Sequence, residues 1–157
     1  MTPEGLPEEL IEALGLYAGT FLVAAISSVV PLVAIEIFLV GVALALAPAV
    51  APLPALVLLA AAGQLAGKLP IYYATRGVAG LSGPHRARLE RVRAWVDRGR
   101  SKTLVLAASA VFGLPPFSLV ATAAGALAIP ARTFCLIVFA GRALRFAVLV
   151  AAAALAA

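Results

Sequence analysis

The stretch Ala107-Ala-Ser-Ala-Val-Phe-Gly-Leu-Pro-Pro-Phe-Ser-Leu-Val-Ala-Thr-Ala-Ala-Gly125 is a largely apolar run broken at its centre by two prolines. Proline has no N–H and clashes with the preceding turn, so Pro115-Pro116 ends a helix there. The arms on either side run from Thr103 to Gly113 and from Phe117 to Ile129. At the rise of an α-helix they reach only ~17 and ~20 Å. The hydrocarbon core of a bilayer is ~30 Å thick, so neither arm spans it comfortably. The simplest reading is a re-entrant hairpin that enters, turns at Pro115-Pro116 and leaves on the same side. Irregular backbone at that depth is tolerated only inside protein or beside a water-filled cavity. The stretch therefore predicts a polar cavity, and a cavity predicts transport.

The rest of the composition agrees with a membrane setting. The chain has 157 residues, 64% hydrophobic and 12% charged, against roughly 45–50% and about 25% in soluble domains. The length suits one domain of a few spans. Alanine and leucine dominate and strict alternation is absent, so the expected fold is an all-α integral membrane protein rather than a barrel. The single cysteine, Cys135, lies in an apolar run and reads as packing. It builds neither a disulfide framework nor a metal cluster. His85, the single histidine, reads as a solvated surface residue, with a proton relay as the minor reading.

The net charge of +5 is concentrated in one segment. Arg76, Arg86, Arg88, Arg91, Arg93, Arg98, Arg100 and Lys102 stand there against Glu90 and Asp97. The positive-inside rule makes 76–102 a cytoplasmic linker. Contact with anionic lipid, not nucleic acid, is the expected consequence. Within it, Leu89, Val92, Trp95 and Val96 share one face, which predicts an amphipathic helix over 85–102 lying on the leaflet; a solvated linker helix is the alternative.

Residues 1–12 carry Glu4, Glu8, Glu9 and Glu12 and lack the positive start of a cleavable signal. They read as a surface helix capped by Thr2, with Pro3 at its first position and acids in its first turns. Helices are expected at about 13–30, 32–47, 54–75 and 131–154, with a proline-rich turn at 48–54.

The two halves rhyme. Pro31 precedes Gly41 by ten residues, and Pro115 precedes Gly125 by the same ten. Proline turns follow at Pro48 and Pro130, then long helices bearing Gly67-Lys68 and Gly141-Arg142. The expected organisation is a first repeat over 13–75, the linker 76–102 and a second repeat over 103–157. A hairpin plus one crossing is an odd number of crossings, so the repeats have opposite orientation, as in many secondary transporters. The hairpin tips are Pro31 and Pro115-Pro116. The second hairpin enters from the cytoplasm; the first enters from outside, with the N-terminus beside it. Six true spans with both termini cytoplasmic is the competing topology.

Glu36, Lys68, Arg142 and Arg145 are flanked by apolar sequence. Such residues cost ~2.5–3.5 kcal/mol each at a helix centre and need partners or water. Lys68 is close enough to its helix end for its ammonium to snorkel. One reading is an internal ion pair between Glu36 and Arg142 or Arg145. The other makes all four a substrate site, the surplus cations drawing an anionic headgroup and Glu36 serving as proton-linked switch or counter-ion. Arginine's planar fork suits phosphate oxygens, and N–H groups at a hairpin tip can help hold an anion. Gln64 adds a polar group or a packing contact. No nucleophile–base pair, zinc spacing or phosphate-cradling loop appears, so enzymatic activity, metal and cofactor are not expected.

Val30-Pro-Leu-Val-Ala-Ile-Glu36 followed by Gly41, Gly63-Gln-Leu-Ala-Gly67, Tyr72-Tyr73, Arg76-Gly77, Phe112-Gly-Leu-Pro-Pro116 and Ala124-Gly125 occur in that order. In order and spacing they resemble the DedA/VTT ("SNARE-associated") membrane protein superfamily, over about residues 27–147, as a distant member. The resemblance implies two opposed re-entrant hairpins with spanning and amphipathic helices. It implies movement of lipids such as undecaprenyl phosphate or phospholipids, proton coupling in some members, and a bacterial inner membrane. Glu36 matches the family's functional acid. Leu114 and Leu119 stand where the family has hairpin arginines, leaving Arg142 and Arg145 to supply charge from the next helix.

The expected function is a flippase- or scramblase-like transporter of an anionic lipid, with membrane lipids as partners. A small proton-coupled exporter of a soluble solute is the alternative, and a non-transporting scaffold anchored by 85–102 is the third reading. A homo-oligomer is compatible with the sequence but not indicated by it.

Overall fold

The computed structural model describes residues 8–30, 34–46, 52–76, 102–112, 117–127 and 129–156. The hairpin tips Pro31, Pro115 and Pro116, the linker 77–101 and most of the turn at 48–54 lie outside them. The described chain is helical, with no strand: α1 (Glu8–Val29), α2 (Ile35–Ala45), α3 (Leu53–Arg76), α4 (Lys102–Phe112), α5 (Phe117–Ala126) and α6 (Ala131–Ala156). Three helices, α1, α3 and α6, are long and apolar enough to cross a membrane. The chain is an integral membrane protein by that measure. The other three have 10 or 11 residues and reach ~15–17 Å, about half the hydrocarbon thickness.

Residues 8–12, expected in a separate surface helix, are the first turns of α1. No proline or glycine lies between Glu8 and Ala13 to interrupt it, and carboxylates favour a helix N-terminus. α6 begins where proline permits it: the carbonyl of Pro130 accepts the N–H of Phe134 at 3.0 Å, and Pro130 needs no donor of its own there. α3 continues through Pro70, which faces outward.

Helix directions follow from the contacts. Tyr72 of α3 stacks on Phe134 of α6, with centroids 4.5 Å apart. At the other end of α3, Leu53 and Pro54 share a groove with Ala151 and Ala154. α3 and α6 are therefore antiparallel, and Gln64 lies opposite Arg142 near the middle of both. α1 lies parallel to α3, with Gly63 against Ala24 and Gly67 against Ser28. It ends beside Lys68, eight residues (~12 Å) before α3 ends at Arg76. α4 lies parallel to α6, with Gly141 against Ala110. It ends beside Arg145, eleven residues (~17 Å) before α6 ends at Ala156.

The short helices that follow lead away from these ends. Ile35, Leu39 and Ala43 of α2 bury one face in a core with Phe146, Val150 and Ala153 of α6. The i, i+4, i+8 spacing of α2 matches one helical stripe. α5 ends with Gly125 against the Tyr72 carbonyl and Thr75, and joins a second core of Tyr72, Leu106, Ala110, Phe134 and Val138. Exchanging α1, α2 and α3 for α4, α5 and α6 thus carries α1–α3 packing onto α4–α6, and α2–α6 onto α5–α3.

Glycine sets the closeness of two of these contacts. A Cβ at Gly141 would stand 2.6 Å from the Ala110 Cβ, and one at Gly67 would overlap the Ser28 side chain. In a bilayer, where apolar surface has no water to leave, such close approach is the main packing device.

Candidate functional site

Midway along the α3–α6 pair the apolar core is interrupted by charge. Lys68 is 6% exposed and Arg142 8%. Arg145 and Glu36 form a salt bridge at 3.2 Å, with side chains 29% and 31% exposed. Arg142 lies within Coulombic range of Lys68, Arg145 and Glu36. The structure therefore brings together all four residues named from the sequence, from three helices that are remote in the chain. Of the two pairings open to Glu36, the one with Arg145 is present. The reason is helical: α2 starts at the level of Arg145, and Glu36 is its second residue.

The lysine points inward rather than snorkelling. Its Nζ donates to the main-chain carbonyl of Ser28. Arg145 Nη1 donates at 3.3 Å to the carbonyl of Val111. Ser28 is the next-to-last residue of α1 and Val111 the next-to-last of α4. The last four carbonyls of a helix have no intrahelical partner, and that end carries partial negative charge. Each long helix thus supplies a cation to the end of the helix packed beside it.

These carbonyl acceptors were not legible in the sequence, because any residue has a carbonyl. What marks them is position just ahead of the prolines at 31 and 115. The serines add a polar seam. Gln64 Nε2 donates to Ser27 Oγ at 2.7 Å, while Ser27 Oγ and Ser28 Oγ donate back to Ala24 and Ala25 carbonyls at 2.8 and 2.7 Å. Gln64 thus makes a hydrogen-bonded packing contact between α3 and α1. Nearer the end of α3, the Tyr72 hydroxyl donates to the Ile129 carbonyl and accepts from Arg76 Nη1.

Two apolar grooves flank the charges. One, of about 410 Å³, lies between α4 and α6 and is lined by Val111, Phe112, Leu144, Arg145, Val148 and Leu149. The other, of about 470 Å³, lies between α3 and α6, and Leu144 lines it too. Both volumes fall in the range of small-ligand sites. The cavity expected at Pro115-Pro116 falls on residues outside those described. No group of His, Cys, Asp or Glu able to hold a metal occurs among the described residues, and Cys135 is a free thiol.

Among family models, curated proteins and solved structures, none matches the chain.

Proposed function

We propose that the chain is a membrane lipid transporter, flippase- or scramblase-like, for an anionic lipid such as an isoprenoid phosphate or a phospholipid. The observation that carries this reading is Arg145. It is the part-exposed cation of a buried cluster, and it lies on the wall of an otherwise apolar groove between α4 and α6. A charged headgroup and a hydrocarbon chain are accommodated side by side there. Beyond the N–H groups it gives to Glu36 and Val111, the guanidinium keeps donors that suit phosphate oxygens, and the lipid-facing Val148 and Phe112 receive the chain. Lys68, Arg142 and Arg145 outnumber Glu36, and the excess positive charge favours an anion.

The fold proposed with this function is an inverted repeat of two re-entrant hairpins, α1–α2 and α4–α5, each followed by a crossing helix. Its supports are the antiparallel course of α3 and α6, the ends of α1 and α4 at mid-depth, and the exchange symmetry of the helix contacts. Sites near the midplane at broken helices are characteristic of that plan. On this reading the chain is a distant DedA/VTT-like protein of a bacterial inner membrane. The linker 76–102 is cytoplasmic and the N-terminus outside.

The test is reconstitution into vesicles with a fluorescent anionic lipid. Wild-type protein should equilibrate the label between leaflets. Glu36→Gln and Arg145→Ala should each slow it at least about tenfold, the equivalent of ~1.4 kcal/mol. Unchanged flux in both variants removes the site; no flux in wild type removes the function. A soluble-solute exporter predicts instead no lipid exchange and uptake driven by a pH gradient.

A further inference from the structure

The contact between Lys68 and the end of α1 has a meaning beyond charge neutralisation. In transporters built from opposed broken helices, the C-terminal ends of half-helices and their freed carbonyls coordinate the coupling cation. Here that position is taken by a side chain. Lys68 Nζ donates to the Ser28 carbonyl, and the residue is 6% exposed. Ser27 Oγ and Ser28 Oγ lie on the same last turn, and Gln64 Nε2 donates to Ser27 Oγ at 2.7 Å. Gly67 lets α1 approach closely enough for the ammonium to arrive, since a Cβ there would overlap the Ser28 side chain. The second half repeats the device with Arg145 on Val111.

We infer that the end of α1 is a monovalent-cation site occupied by the protein's own Lys68 ammonium. An ammonium and an alkali cation share a unit charge and a demand for several oxygens. A tethered ammonium supplies that charge to the Ser28 carbonyl without leaving. The site therefore needs no sodium, and binding at the neighbouring anion site is independent of sodium. Truncating Lys68 vacates the site and leaves the Ser28 carbonyl with no cation. Arg142, within Coulombic range, then loses a like charge that a bound alkali ion restores. The inference rests on the broken-helix reading of α1 and not on which lipid is moved.

Lys68→Ser, Lys68→Arg and wild type are purified in parallel in choline chloride and in sodium chloride. Radiolabelled sodium binding and the melting temperature are read for each. Wild type and Lys68→Arg should bind no sodium and melt alike in both salts. Lys68→Ser should bind sodium stoichiometrically and melt higher in sodium than in choline, with saturation, because a ligand that binds only the folded state raises its stability. A folded Lys68→Ser protein that takes up no sodium overturns the inference. So does one that is unfolded in both salts, since sodium then does not replace the ammonium. Neither readout uses lipid flux, so loss of the transport reading leaves this result standing.

Discussion

At the scale of single residues, Arg145 holds two acceptors at once. It pairs with Glu36 of α2 and donates to the Val111 carbonyl of α4, and its Nε is buried with no hydrogen-bond partner among the described residues. Removing it strands more than removing Glu36 does. Arg145→Met should therefore destabilise the protein more than Glu36→Gln. A double-mutant cycle should give a coupling of about 1–2 kcal/mol, between the values for exposed and buried pairs. Equilibrium unfolding in mixed micelles measures it, and a coupling near zero would show the pair to be a passive contact. The charged residues were legible because each interrupts an apolar run, and a charge in such a place needs a partner. Which partner was not legible: Glu36 and Arg145 are separated by most of the chain, and the register of α2 on α6 brings them into contact.

At the scale of elements, the glycines fall into two groups that helix propensity alone would not separate. Gly15 and Gly41 face open space, whereas Gly63, Gly67, Gly125 and Gly141 sit against a neighbouring helix. Gly15→Ala and Gly41→Ala should stabilise by up to about 1 kcal/mol, the ordinary gain of alanine in a helix. Gly67→Ala and Gly141→Ala should destabilise by about 1–3 kcal/mol through overpacking. Unfolding midpoints of the four variants would separate the groups, and equal effects would contradict the packing described. Helix limits were largely readable from the sequence, because proline and apolar run length set them. The helices expected over 54–75 and 131–154 are α3 and α6 to within two residues. The beginning of α1 is not legible from charge: Glu8, Glu9 and Glu12 interrupt the apolar run but extend its helix. Of the amphipathic segment 85–102, residues 85–101 fall outside the described residues, and Lys102 is the first residue of α4.

At the scale of the whole molecule, α3 and α6 form the axis to which the short helices attach. Their antiparallel course predicts that, after replacement of Cys135, cysteines at 54 and 151 cross-link through a short reagent, as do cysteines at 73 and 131. The pairs 54 with 131 and 73 with 151 should not cross-link; efficient reaction in those pairs would reverse the arrangement. The two ends of this axis are fastened unequally. At one end the Tyr72 ring stacks on Phe134 and its hydroxyl, which accepts from Arg76 of the same helix, ties α3 to the Ile129 carbonyl. At the other, Leu53 and Pro54 face Ala151 and Ala154 across an open groove. Aromatic stacking and a hydrogen bond fix register at the first end, whereas aliphatic packing of Leu53 with Phe146 and Val150 is less directional at the other. The axis is thus fastened by ring stacking at its Tyr72 end and by aliphatic packing beside a groove at its Leu53 end. Glu36 and Arg145 belong to α2 and α6, which share one packed core, so the pair is carried by that packing and not by the α3–α6 groove.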